Sequence, residues 1–239
     1  MIPGLGTIIN AAAIIASGIL GVMCKRLIRE SWQETVLKAT GFAVIFIGAA
    51  GTLSKMLSVT ETGALSASGS ISLSLSLALG ALIGEILDID SRLQRFGAWL
   101  RARSGSSGDS RFIDGFVTSS LTVGIGAMGL MGAINDALFG DIGILAAKAA
   151  IDFVIILAMA ASMGKGCAFS AITVLAVQGS MTLLAALAGN MFTQAMLDSL
   201  SMTGGVLIVC VGVNLVWEKT IRVANLLPAV VVAVLIAIF

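Results

Sequence analysis

Eight stretches of this chain are apolar over a length close to the roughly 20 residues that a helix needs to cross a bilayer. They run over residues 3–24, 39–57, 70–88, 112–135, 142–163, 166–189, 201–217 and 225–239. The last is short, and its Pro228 falls in the first turn, where proline is tolerated. The third, SISLSLSLALGALIGE, alternates as a strand would. An open strand in lipid would leave its backbone unpaired, so a helix is predicted there too, with Gly80 and Gly84 forming a GxxxG step. The predicted fold is all-α: a polytopic helical membrane protein of about eight transmembrane helices, forming one transmembrane domain over 1–239.

The links carry a second pattern. KRLIRESWQETVLK, after the first stretch, mixes Leu27, Ile28, Trp32, Val36 and Leu37 with charges at helical spacing and reads as an interfacial amphipathic segment. The link after the third stretch begins similarly, with Leu93, Phe96, Trp99 and Leu100, then becomes a Gly/Ser run over residues 104–110. That run reads as a flexible cytoplasmic linker between a first helical part, 1–103, and a second, 111–239.

Basic residues sort by loop. Lys25, Arg26, Arg29 and Lys38 follow the first stretch; Arg92, Arg95, Arg101, Arg103 and Arg111 follow the third; Lys165 follows the fifth; Lys219 and Arg222 follow the seventh. The alternate loops hold Lys55 alone. Because cytoplasmic loops are enriched in Lys and Arg, both termini are expected outside the cytoplasm. The N-terminal apolar run has its positive charges behind it, the reverse of a signal peptide, and is read as retained.

Composition agrees with a membrane setting and removes several chemistries. Of the 239 residues 58% are apolar and 11% are charged, against about 25% charged in soluble domains, and mean hydropathy is +1.06. A net charge of +1 offers nucleic acid no footprint. Histidine is absent, and Cys24, Cys167 and Cys210 lie far apart, so neither a metal site, a cofactor nor a His-based nucleophile is expected, and the chain is not read as an enzyme. Phe139-Gly140-Asp141 covers half of an intramembrane aspartyl protease motif, but Leu138 stands where that motif needs glycine.

Polar residues inside the apolar stretches then become the informative ones. A charge at mid-membrane costs about 2.5–3.5 kcal/mol on insertion scales and should meet a partner or a wet cavity. Lys148 and Asp152 are four residues apart on one helical face, and Asp141, seven before Lys148, falls on that face too. Counted inward from Asp141, Lys148 lies ~10 Å and Asp152 ~16 Å deep, near the middle of a ~30 Å hydrocarbon layer. Gln178 reaches similar depth on the next stretch, and Asn10 faces inward on the first beside Thr7 and Ser17. The fourth stretch crowds Gly124, Gly126, Gly129 and Gly132 before Asn135 and Asp136. Close packing and an unwound helix, the latter able to bind ions, both fit that run. Candidate ion- or substrate-binding residues are therefore Asp152, Lys148, Gln178, Asp136, Asn135, Asn10 and Asp141. The rival reading for the Lys-Asp pair is a closed structural one.

A weak internal echo also appears. Thr40-Gly41 through Gly48 matches Thr203-Gly204 through Val211, in stretches of opposite direction, as an inverted repeat would.

Several runs, GAMGLMGAINDALFGD, LAAKAAIDF, FSAITVLAVQGSMTLLA, GLGTIINAAAIIASGILG, TGGVLIVCVGVNL and NLLPAVV, together resemble the YqgA-like bacterial membrane proteins, domain of unknown function family 554. The resemblance covers nearly the whole chain. It implies a multi-pass protein of the bacterial inner membrane, and a sodium channel or pump has been suggested for such proteins. This chain has Asn135-Asp136-Ala137 where Gln-Asp-Gly is more usual, and Lys-Ala-Ala-Ile-Asp where Lys-Ser-x-x-Asp is common. The functional expectation is a transporter or channel for a small ion or polar solute. Asp152 would take a small cation such as sodium or a proton, and Lys148 would act as counter-charge. The alternative is a non-transporting scaffold or sensor in the lipid bilayer; small-residue faces would permit a homodimer in either case.

Overall fold

The computed structural model describes residues 3–25, 29–124, 126–188, 193–217 and 220–238. Arg26, Leu27, Ile28 and Lys219, used above, lie outside them. The chain is all-α apart from one small hairpin. Six helices are long and apolar enough to cross a membrane: α1 (Leu5–Lys25), α2 (Glu30–Met56), α3 (Ser70–Leu87), α7 (Gly143–Met163), α8 (Ser170–Ala188) and α9 (Gln194–Val216). A bent pair, α5 (Phe112–Gly124) and α6 (Ala127–Phe139), makes a seventh span if counted as one. The predicted eighth is only a short apolar helix, α10 (Pro228–Ile236), extended by a 3-10 turn at Val223–Leu226. Eight is therefore an approximate count, of which six to seven helices meet the length needed.

Two predicted features merge or split. The amphipathic segment after α1 is not a separate helix: its described part runs straight into α2 from Glu30 onward, leaving Trp32 exposed. The second amphipathic segment is separate as α4 (Ile89–Arg103), because Asp88 takes a left-handed conformation (φ 47°) and turns the chain out of α3. α4 lays Gly97 and Leu100 against the bundle and stacks Phe96 edge-on to Phe116 of α5. Residues 104–110 form turns in which Ser106 is buried. Between α2 and α3 the chain makes an exposed antiparallel hairpin, β1 (Leu57–Val59) and β2 (Leu65–Ala67), that the apolar pattern does not predict.

Helix directions follow from what meets what. α1 and α7 run parallel, Gly6 meeting Leu145 and Gly21 meeting Ala160. α2 and α9 run antiparallel, Gly41 meeting Gly212 and Gly48 meeting Gly205. One end of the bundle collects the basic loops: Ser162 Oγ donates to the Gln33 carbonyl, Arg111 to the Ser162 carbonyl, and Arg222 pairs with Glu85. At the opposite end Lys55 pairs with Asp198. The loop parity read from Lys and Arg is thus matched by which loops share an end.

The α2–α9 seam is the most extensive helix contact among the described residues, and it depends on missing side chains. A Cβ on Gly205 would run into Thr52 Oγ1 and the Gly48 carbonyl, whereas one on its neighbour Gly204 would meet nothing within 4 Å. Gly205→Ala should therefore lower the stability of the purified protein by about 1–3 kcal/mol through overpacking, while Gly204→Ala should be neutral or stabilising by up to about 1 kcal/mol as a helix-interior glycine replacement. Thermal unfolding of the two variants side by side measures the difference.

Candidate functional site

Lys148 and Asp152 sit one turn apart on α7, and each lacks a lipid-compatible exit, being 7% and 3% exposed. They close on each other, Lys148 Nζ donating to Asp152 Oδ2 at 2.6 Å. The same oxygen accepts a second bond, from Asn10 Nδ2 of α1 at 3.1 Å. Glycines at the α1–α7 contact let the two backbones approach closely enough for a short amide to reach. Among the described residues Asp152 Oδ1 accepts no hydrogen bond, and Asn10 Oδ1, fully buried, has no partner.

Gln178 of α8 and Lys148 converge on Gly129 of α6: a Cβ there would lie 3.0 Å from Gln178 Nε2 and 3.1 Å from Lys148 Cε. The glycine leaves the space in which these two side chains meet. Gln178 is completely buried, with neither amide atom hydrogen-bonded. Asp152, Lys148, Asn10 and Gln178 are therefore brought together by α1, α6, α7 and α8.

The other predicted residues are placed differently. Asp136 is 1% exposed and accepts from the backbone nitrogen of Gly6 at 2.9 Å. Its carboxylate thereby caps the first turn of α1, where helix dipole and unpaired N–H groups favour an anion. Asn135 is half-buried, and its carbonyl accepts from Asp141 at the end of α6. Asp141 does not share the Lys148 face: α7 begins only at Gly143, so Asp141 precedes the helix, exposed, and accepts from Gly143 N at 2.8 Å.

A cavity of about 310 Å³ opens beside the pair, lined by Lys148, Asp152 and residues of α2, α5, α6 and α9, among them Thr122, Ser201 and Ile208. Two further cavities lie along the same α5–α9 seam toward the basic end. One, about 210 Å³, is lined by Asp114, Leu121, Val211 and Asn214; it shares Asp114 and Asn214 with a polar one of about 910 Å³ that also includes Gln33, Lys38 and Arg111. Leu121 and Val211 border the middle cavity, whereas Thr122 and Ile208, next along each helix, border the one holding the pair. These seam residues are absent from the sequence prediction. Their α9 members Ser201, Gly205, Ile208, Val211 and Asn214 wind round the helix instead of sharing one face, so no amphipathic stripe marked them.

Chemically, the arrangement offers one positive and one negative group at the wall of a mostly apolar cavity, with uncommitted carboxylate and amide oxygens around them. Such a site can hold and release a small charged or polar species.

Comparison with known proteins finds the family described as "Protein of unknown function (DUF554)" matching residues 5–238. The chain is 26% identical over 227 residues to the uncharacterized membrane protein YdfK of Bacillus subtilis, covering 95% of this chain and 93% of that one. It is 28% identical over 233 residues to the uncharacterized protein YqgA of Escherichia coli, covering 96% and 94%. No solved structure matches.

Removing one member of a buried ion pair strands the other. Lys148→Met should cost about 3–5 kcal/mol, and the double variant Lys148→Met/Asp152→Leu should recover most of that; denaturation of the purified proteins in detergent tests it, and a double variant no better than the single would contradict it. Asp136→Ala removes the α1 cap and should cost about 0.5–2 kcal/mol in the same assay.

Proposed function

The chain belongs to the DUF554 family, and on that footing we propose that it moves a small ion or polar solute across the membrane past Lys148 and Asp152. The observation that carries this reading is the pair's position at the wall of a cavity of about 310 Å³ bordered by α2, α6, α7 and α9, rather than in closed packing. Charges at such depth face a partner or water, and ion and substrate pathways are among the uses they mark. The two cavities in line along the α5–α9 seam support a route to the basic end, with Leu121 and Val211 as the apolar barrier on it.

In this reading Asp152 receives a cation or a donor group through Oδ1, and Lys148 serves as its counter-charge when the site empties. The basic end faces the cytoplasm across a bacterial inner membrane, so the N-terminus lies outside, and the C-terminus joins it there where α10 counts as an eighth span. No covalent chemistry is assigned to the protein. A second reading has one observation in its favour: both donors to Asp152 end on the same oxygen, tying α1 to α7 as a structural bolt would. The protein would then be a scaffold or sensor.

Reconstitution into liposomes separates the two. Uptake of labelled sodium and dye-reported proton flux should be measurable for the wild type, and Asp152→Asn, normalised to folded protein, should reduce the flux at least about tenfold. Undiminished flux in folded Asp152→Asn and in the Lys148→Met/Asp152→Leu double variant would remove the site. Absence of flux from the wild type would favour the scaffold.

A further inference from the structure

On the α1 and α8 side of the Lys148–Asp152 pair, buried oxygens accumulate without partners. Thr7 Oγ1, Asn10 Oδ1, Asp136 Oδ1 and both amide atoms of Gln178 are shut off from solvent and make no hydrogen bond among the described residues. Native structures rarely leave such groups unsatisfied, so a cluster of them points to something that binds there.

Packing brings the four side chains into one file. Gly6 and Asn10 face α7, while Gly4 meets Thr182 of α8 and Gly18 meets Ala168 in the 3-10 turn that leads into it. Thr7 lies on the arc between these two sets, and the antiparallel register of Gly4 with Thr182 and Gly18 with Ala168 sets it level with Gln178. Gln178 in turn touches the space over Gly129, and Asp136 lies two turns further along the same face of α6, bonded to Gly6 beside Thr7. From Gly129 to Asp136 the file is ~10 Å long.

The chemistry of the donors is uniform: one hydroxyl, two amide carbonyls and a carboxylate, with no sulfur or imidazole. Oxygens of this kind suit hard cations. Formal charge narrows the choice, since Lys148 brings one positive charge to the two negative charges of Asp152 and Asp136, a surplus of one. A divalent ion would overshoot. A proton on Asp136 would cancel the charge but leave the hydroxyl and amide oxygens unpaired, and water would satisfy those oxygens but not the charge.

We propose that Asp136, Thr7, Gln178 and Asn10 form a binding file for a monovalent metal cation, separate from the Lys148–Asp152 cavity and leading to it. The file deepens the transport reading and rests on it for the ion's movement, but not for its binding.

Thermal unfolding of the full-length protein in detergent tests the binding directly, with lithium, sodium or potassium chloride compared with choline chloride at equal ionic strength. An ion that binds only the folded state raises the melting temperature along a saturable curve. One of the three metal ions should do so and choline should not. Gln178→Leu and Thr7→Val, close in size to the originals, should raise the half-saturating concentration by about tenfold or more; Asp136→Asn, which keeps an oxygen to cap Gly6, should abolish the effect. A wild type equally stable in all four salts overturns the proposal whether or not the variants fold, as do variants that respond like the wild type. Cation-specific stabilisation without liposome flux would keep the file and remove the transport reading; flux without stabilisation would do the reverse.

Discussion

Two opposite charges placed one turn apart on α7 dictate much of what surrounds them. Neither Lys148 nor Asp152 can face lipid at that depth without a large cost, so neighbouring helices must cover them and leave open only the cavity beside the pair. α1 supplies Asn10 and lies parallel to α7, a neighbour relation that no hairpin can make and that needs the intervening chain to travel round the bundle. α6 supplies Gly129, where a Cβ would lie only 3.1 Å from Lys148 Cε, and α8 supplies Gln178. The glycines elsewhere serve the same end, since shrinking the gaps between helices leaves room for polar groups only where side chains hold space open.

Much of this architecture was legible in the chain, and the parts that were not share a cause. Apolar runs and loop charges reveal spans and their parity because each signal is local. The Lys148–Asp152 pair was equally local, at i and i+4. By contrast, Asn10 meets Asp152 across 142 residues and Gly6 meets Asp136 across 130, separations at which periodicity carries no information. Asp141 was misplaced by extending helical phase past the true start at Gly143. The glycine run before Asn135 fitted both packing and unwinding; the 57° bend between α5 and α6 has elements of each, with Gly129 packed and Gly126 extended. The hairpin at Leu57–Ala67 escaped because two exposed strands of three residues are too short to show alternation.

The echo between the second and seventh stretches acquires a physical form in the α2–α9 seam. Gly41 and Gly48 are seven apart, as are Gly205 and Gly212, and antiparallel packing sets each glycine of one helix against one of the other. A helix pair built this way looks nearly the same turned end over end. Its self-complementarity lies one residue out of the register in which Thr40 matches Thr203, so the local sequence match and the packing symmetry are related but not identical.

The short last helix has a consequence for the surrounding membrane. From Val223 to Ile236 the apolar rod spans ~20 Å at 1.5 Å per residue, well below the ~30 Å of a typical hydrocarbon layer. It packs on α3, Gly80 against Ala229 and Gly84 against Asn225, while Val231 and Leu235 stay exposed. Where this rod crosses the bilayer, lipids along that flank shorten to match it, by tilting or disordering their tails, at a cost of a fraction of a kcal/mol for each ångström of mismatch. The protein would therefore carry a dimple in the bilayer on one side, and thickness of the host membrane becomes a variable to which its fold is mechanically coupled.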